Sequence, residues 1–370
     1  MRAIGTSPLA IIQAGVRPPR GTGFALRSLT IPMTPAPQAV VSADIAAPTG
    51  EGLKHGPAHL HAPSPGATAT LIHDLRELFK VKVVGMVLVT GWGGFYLASM
   101  QSGISSVQPG LLDALFGIGL VSAGAGALNE ALERKTDARM IRTAQRPLAR
   151  GRFSLAEGIV AGLGALTLGA VWLLLRTNLL TVSLALLTAF CYVAIYTPLK
   201  RFTTLATFIG AFPGAMGPLL GWTAARPHIE WPAVALFAIL FVWQFPHFMA
   251  IGWMYREDYA RGGIRLTATQ PDTRHAAQSS VIQALFYAVL MIPVSLWPSA
   301  LHTTGLPYTV IATFLSLWYL YATIRFARIL RSPSDAESIA LARNLLKVSV
   351  LYLPLLMLAM ILNAQGRLLF

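Results

Sequence analysis

The stretch LLDALFGIGLVSAGAGALNEALERKTD, residues 111–137, contains the pattern that decides the fold. Residues 111–128 are almost entirely apolar or small, and a helix that crosses a membrane needs about 20 such residues. Residues 129–137 are strongly polar and carry three carboxylates. The stretch therefore predicts a helix that crosses a membrane and presents acidic side chains at one of its ends.

Similar apolar runs recur along the whole chain. Of its 370 residues, 54% are hydrophobic and 12% are charged, whereas an average soluble domain has about 25% charged residues. This composition excludes a soluble enzyme, a disordered scaffold and a coiled coil, and the single cysteine excludes a disulfide framework. We predict an all-α membrane protein with a bundle of about nine transmembrane helices in residues 73–370. The nine runs are residues 83–100, 111–128, 155–175, 179–197, 204–224, 232–251, 281–297, 308–324 and 348–362.

The basic residues predict the orientation of this bundle. The net charge is +14, but the arginines and lysines form no basic face with interleaved aromatic residues, so we do not expect nucleic-acid binding. Eighteen of them lie in the loops after the even-numbered runs, against only Arg176 and Arg226 in the opposite loops. Since cytoplasmic loops retain basic residues, the N-terminus and these loops are predicted to be cytoplasmic in a bacterial inner membrane. The alternative is the matrix side of the mitochondrial inner membrane.

Residues 1–72 form a different kind of segment, rich in proline and alanine. We predict a disordered N-terminal extension, because such a composition buries too little apolar surface to offset its conformational entropy. Four arginines without an acidic residue before Asp44 would fit a mitochondrial transit peptide. The many prolines interrupt an amphipathic helix and favour a bacterial extension.

The first acidic cluster follows the second apolar run. If the helix continues, Asn129, Glu133 and Asp137 stand at i, i+4 and i+8 and share one stripe. These are hard oxygen ligands that suit Mg²⁺ together with substrate phosphates. The alternative is a solvated helix end whose carboxylates pair with neighbouring basic residues.

Two arginines follow this cluster. The helix is predicted to continue to Pro147 and to present Arg142 and Arg146 one turn apart. Carboxylates for a metal followed by guanidinium groups suit a diphosphate ester. The alternative is that these arginines only retain the loop in the cytoplasm.

The second acidic cluster, Glu257 and Asp258, follows the sixth apolar run. Gln244 and His247 lie within that run, where polar side chains predict a functional site or, alternatively, hydrogen bonds between helices. Pro246 should kink the helix. Eleven residues make about three helical turns, so His247 and Asp258 are expected near one face.

These motifs resemble those of a known family. Asn129-x-x-x-Glu133-x-x-x-Asp137 followed by RTAQRPL is similar to the first aspartate-rich motif of the UbiA-type intramembrane prenyltransferases. Within that family YTPLKR (196–201), WQFPHF (243–248) and DYARGG (258–263) resemble the protohaem IX farnesyltransferases, or haem O synthases. The resemblance covers residues 75–365.

The resemblance implies the UbiA fold, a helix bundle around a central cavity, and transfer of farnesyl from farnesyl diphosphate to a vinyl group of haem B. It implies Mg²⁺ as cofactor, haem A synthase or oxidase assembly factors as partners, and a role in haem A biosynthesis. The implied catalytic residues are Asn129, Glu133, Asp137 and Asp258. The implied metal ligands are Asn129, Glu133, Asp137, Glu257 and Asp258, and the implied substrate-binding residues are Arg142, Arg146, Lys200, Arg201, Gln244, His247 and Arg256.

The sequence departs from the family pattern at the second motif. Relatives often carry DxxxD there, whereas Arg261 and Gly262 occupy the positions four residues beyond the two acids. Three other functions compete with haem prenylation. They are prenylation of a quinone precursor or chlorophyllide, secondary transport and non-catalytic haem delivery. The acids lie at helix ends and no inverted repeat is visible, which argues against a transporter.

Overall fold

Long helices make up nearly all of the computed structural model, which describes residues 67–102, 109–332 and 336–365. The described part contains no β-strand, only an isolated bridge between Thr304 and Ala364. The helices are α1 Ala67–Leu78, α2 Val81–Gln101, α3 Pro109–Asp137, α4 Leu155–Arg176, α5 Leu179–Phe190, α6 Thr197–Leu199, α7 Ala206–Ala225, α8 Trp231–Met254, α9 Arg256–Arg261, α10 Thr273–Ala300, α11 Leu306–Phe326 and α12 Ala336–Leu362. A π-helical turn, Cys191–Tyr196, joins α5 to α6.

Eight helices in the described part of the chain are long and apolar enough to cross a membrane. The remaining expected span, residues 204–224, corresponds to α7, whose 20 residues give a length of about 30 Å. α7 is not among these eight helices, and it contains four glycines and two prolines. The prediction of about nine spans is thus confirmed in outline, and the chain is an integral, multi-pass membrane protein. Large side chains such as Leu175 and Phe314 are more than two thirds exposed on the outer face, where lipid would cover them.

Small residues let the helices approach closely. A Cβ atom built on Gly221 of α7 would lie 1.8 Å from the carbonyl oxygen of Gly91 in α2, and one on Gly94 would lie 2.0 Å from that of Pro218. Helices α3 and α4 make a similar contact, since a Cβ on Gly124 would lie 2.5 Å from the Gly162 oxygen. Such contacts are the usual means by which membrane helices pack. They fix α3, which carries the first acidic cluster, against its neighbours.

Several helices are longer than their apolar runs. α10 begins at Thr273 because the Asp272 carboxylate accepts hydrogen bonds from the backbone N–H groups of Arg274 and His275. α12 begins at Ala336, well before the run that starts at residue 348. These first turns extend beyond the expected spans into the loops at one end of the bundle.

The predicted boundary between extension and bundle, at residues 72 and 73, falls inside α1, which begins at Ala67. Residues 67–72 are therefore helical. Residues 1–66, where we predict a disordered extension, lie outside the described residues.

Candidate active site

The first acidic cluster forms a buried stripe on the last turns of α3. The helix continues to Asp137, so the expected helical spacing of Asn129, Glu133 and Asp137 is confirmed. Their side chains are only 1%, 3% and 1% exposed. Charged groups buried this deeply require partners, and a solvated helix end is therefore the wrong description of this stripe.

Each side chain of the stripe contacts a cation from a different segment of the chain. Lys80 donates a hydrogen bond to the Oδ1 atom of Asn129, and Lys200 forms an ion pair with Glu133. The Nη1 atom of Arg146 lies 2.8 Å from Oδ2 of Asp137. The site thus consists of three oxygen–cation pairs, which we call the paired stripe.

Thr197 orients the amide of Asn129. The Nδ2 atom of Asn129 donates to the Thr197 hydroxyl at 2.8 Å, and this hydroxyl donates to the backbone oxygen of Tyr192 at 2.8 Å. The amide therefore presents its oxygen to Lys80. That oxygen is the atom of Asn129 that can ligate a metal ion.

Lys80 is the site residue that the sequence analysis missed. It lies between α1 and α2 with a left-handed backbone (φ 48°), and its Nζ atom is also 3.4 Å from the Tyr192 hydroxyl. Burial, and after it the charge of Arg146, lower the pKa of Lys80 to about 8. Its only sequence signal is a basic residue just before an apolar run, which topology alone also explains.

The two acidic clusters meet at this end of the bundle, but Asp258 faces a loop. Its carboxylate accepts hydrogen bonds from the backbone N–H of Ile141 at 2.7 Å and of Arg142 at 3.2 Å, and Arg261 adds an ion pair at 2.7 Å. Burial raises the pKa of Asp258, but these donors outweigh it and hold the pKa below its ordinary value. Gly262 allows the close contact, because a Cβ there would lie 2.9 Å from the Met140 side chain.

The expected path of the chain after α3 is wrong. The helix ends at Asp137, not at Pro147, and residues 138–153 form a series of turns. As a result Arg142 and Arg146 do not lie one helical turn apart. The guanidinium group of Arg142 is exposed over the rings of Tyr255 and Tyr259, at 5.7 and 5.5 Å.

The expected common face of His247 and Asp258 is wrong as well. α8 ends at Met254, and Tyr255 (φ −114°, ψ 22°) separates it from α9. Arg256 turns back onto Trp253, with its guanidinium carbon 4.8 Å from the ring centre. Glu257 is exposed, so the structure does not bring it into the paired stripe.

Lys200 and Arg201 lie where the end of α6 meets α3. The backbone oxygen of Lys200 accepts a hydrogen bond from the N–H of Arg265 at 2.8 Å, which ties the loop after α9 to the paired stripe. Arg201 donates to the backbone oxygen of Leu132 in α3 at 3.1 Å. Its buried Nε atom has no hydrogen-bond partner in the described part of the chain.

Gln244 and His247 lie apart from the paired stripe, inside α8. The amide nitrogen of Gln244 donates to the backbone oxygens of Ala211 in α7 and Leu240 in α8, so Gln244 joins two helices, as the structural alternative expected. The Nδ1 atom of His247 lies 2.8 Å from the Ser349 hydroxyl of α12. Trp243 stacks on the imidazole at 4.7 Å and donates to the Ser349 backbone oxygen at 2.8 Å.

The donor set of the paired stripe suits a metal that shares its ligands with a substrate. No three histidine, cysteine, aspartate or glutamate side chains come together as a metal site within the described residues. Two carboxylates and an amide oxygen leave several coordination positions of a Mg²⁺ ion to other oxygens. The oxygens of a diphosphate could fill them.

The sequence of the chain is similar to those of known proteins. The sequence model of the UbiA prenyltransferase family matches residues 86–349. A protoheme IX farnesyltransferase from Koribacter versatilis (strain Ellin345) is 47% identical over 305 residues, which cover 82% of this chain and 97% of the relative.

Solved structures share the fold as well. A digeranylgeranylglyceryl phosphate synthase superposes with a TM-score of 0.63 and 21% identity, covering 80% of this chain and 98% of the other. A UbiA homologue from Archaeoglobus fulgidus, bound to DMAPP and Mg²⁺, superposes with a TM-score of 0.51 and 13% identity, covering 78% and 99%.

Proposed function

Because the chain belongs to the UbiA prenyltransferase family, we propose that it transfers a farnesyl group from farnesyl diphosphate to a vinyl group of haem B, giving haem O and diphosphate. The chain is a prenyltransferase. The observation that carries the proposed chemistry is the paired stripe, in which three partly buried cations each contact one buried oxygen-bearing side chain of α3. The acceptor rests on the close similarity to the protoheme IX farnesyltransferase of Koribacter versatilis.

The cations of the paired stripe would hold the diphosphate. Lys80, Arg146 and Lys200 already lie beside oxygen atoms, and they could transfer their hydrogen bonds to phosphate oxygens. This would stabilise the negative charge that develops when the allylic C–O bond breaks. Arg201, which follows Lys200, has a buried Nε atom without a hydrogen-bond partner among the described residues. Diphosphate binding by Arg142 and Arg256, which face aromatic rings here, stays a prediction.

Asn129, Glu133 and Asp137 would hold the Mg²⁺ ion. When bound, Mg²⁺ supplies a positive charge that stabilises the leaving diphosphate. The protein keeps these three side chains buried on α3, and Thr197 holds the amide of Asn129 by a hydrogen bond. The roles of Glu257 and Asp258 as ligands of a second ion stay predictions, since one is exposed and the other binds a loop.

His247 is the proposed contact to the haem substrate. The hydrogen bond to Ser349 fixes the imidazole through Nδ1, while Nε2 makes no hydrogen bond within the described residues. An imidazole held at one nitrogen is well oriented to ligate iron with the other. The His247→Ala variant should raise the KM for haem B and leave the KM for farnesyl diphosphate unchanged. The reverse pattern would place His247 outside the haem site.

The full reaction is tested by mass spectrometry of haems extracted from cells that cannot make haem O and that express this chain. A farnesylated haem is expected with the wild type and not with Asp137→Asn at equal protein level. Haem B alone, together with prenylation of an added quinone precursor, would refute haem as the acceptor and favour the alternative reaction.

We also propose that the loops around the paired stripe face the cytoplasm across a bacterial inner membrane. The excess of basic residues in these loops supports this orientation. Single cysteines placed at Arg150 and at His228, in a chain with Cys191→Ser, give the test. A membrane-impermeant maleimide applied to intact spheroplasts should label position 228 and spare position 150.

A further inference from the structure

Glu130 is a fully buried carboxylate next to the paired stripe, with 0% exposure. It follows Asn129 directly and is therefore turned by about 100° around α3 from the face of the stripe. Its Oε1 atom accepts a hydrogen bond from the backbone N–H of Leu148 at 3.1 Å. Its Oε2 atom has no hydrogen-bond partner within the described part of the chain.

The hydrogen bond from Leu148 fixes the turn that carries Arg146. Leu148 is 4% exposed and packs with Leu78, Ala127 and Ala131. Pro147 restricts the backbone between Arg146 and Leu148. Arg146 is thus held two residues before an anchored backbone position, and its guanidinium group reaches Asp137.

The buried Leu148 N–H needs a hydrogen-bond acceptor, which Glu130 supplies. An apolar residue at position 130 would leave this donor without a partner. The turn would then shift towards another acceptor and carry Arg146 with it.

We propose that Glu130 is a positioning residue for diphosphate binding, which acts by holding the turn 146–148 so that Arg146 stays over Asp137. This inference rests on the proposed function of the paired stripe as a diphosphate site. It predicts that the effect of changing Glu130 passes through Arg146.

The test measures binding of inorganic diphosphate with Mg²⁺ to the purified full chain in lipid nanodiscs. Glu130→Met has a similar length but accepts no hydrogen bond of this kind, and it should raise the Kd about tenfold, the equivalent of about 1.4 kcal/mol. Glu130→Gln keeps an acceptor and should bind like the wild type. Asp113→Asn, which removes the partner of Arg176 at the opposite end of α3, is the matched control and should also bind like the wild type.

A double-mutant cycle with Arg146→Gln separates positioning from general stability. If Glu130 acts through Arg146, the double variant should bind diphosphate no more weakly than Arg146→Gln alone. Additive losses, a Glu130→Gln variant as weak as Glu130→Met, or an equal loss of haem B binding would overturn the inference. Glu130→Asp, whose shorter arm withdraws the oxygen from Leu148, replaces Glu130→Met if that variant does not fold.

The proposed function fails by a different result. If the wild type makes no farnesylated haem, the reaction is refuted whatever the binding data show. If the wild type is active and the cycle is additive, only the role of Glu130 is refuted.

Discussion

Replacing Gly221 by alanine should separate two helices that touch through their backbones. The added Cβ would lie 1.8 Å from the carbonyl oxygen and 2.6 Å from the carbonyl carbon of Gly91. No side-chain rotation can relieve a contact with backbone atoms, so α7 must move away from α2 by about 1.5 Å to reach a normal van der Waals distance. Overpacking costs about 1–3 kcal/mol. We expect about 3 kcal/mol here, because the neighbouring contact of Gly94 with Pro218 also opens.

Gly164→Ala is the matched control for this experiment. Gly164 lies in α4, is exposed, and a Cβ there meets no atom within 4 Å. The same methyl group should therefore stabilise α4 by up to about 1 kcal/mol through helix propensity. The free energy of unfolding of both variants can be measured by SDS titration in mixed micelles, followed by tryptophan fluorescence. Equal unfolding midpoints for the two variants would refute the close contact between α2 and α7.

Three further predictions concern the site. Glu133→Gln and Asp137→Asn should each reduce turnover by at least a hundredfold in a folded protein, as measured by initial rates of haem prenylation, whereas Asp113→Asn should stay active. Chelation by EDTA should abolish turnover and added Mg²⁺ should restore it; activity that survives EDTA would contradict the metal assignment. Asp258→Ala should release the backbone N–H groups of residues 141 and 142, so trypsin should cleave this loop faster, as followed on gels. An unchanged cleavage rate would show that Asp258 does not hold the loop.

The parts of the fold that depend on local periodicity could be predicted from the sequence. Each apolar run lies in helical structure except for residues 204 and 205, which precede α7. The spacing of Asn129, Glu133 and Asp137 follows directly from the helical repeat. The early start of α10 was also readable, because Asp272 precedes it as an N-cap. That signal lies outside the apolar run and is missed when only hydrophobic residues are counted.

The parts that depend on tertiary packing could not be predicted. Lys80 reaches Asn129 from 49 positions away in the sequence, and nothing near Lys80 specifies this contact. The position of the Arg142 side chain depends on where α3 ends and on the path of the loop that follows. Asp258 lies 116 residues further along the chain and holds this loop by accepting a hydrogen bond from the backbone N–H of Arg142. The sequence spacing does not distinguish Arg142 from Arg146. In the structure, Arg142 lies over tyrosine rings, whereas Arg146 pairs with Asp137.

The π-helical turn at Cys191–Tyr196 determines which side chains of its span reach α3. Its backbone hydrogen bonds run from residue i to i+5, so the turn holds one residue more than an α-helical turn. Thr197 and Lys200, which follow it, contact Asn129 and Glu133. In an unbroken α-helix the same sequence would rotate both residues by about 100° relative to the preceding part of the span. The wide turn therefore acts as an angular spacer, and a one-residue insertion or deletion within it should misalign Thr197 and Lys200 with α3 without replacing any residue of the paired stripe.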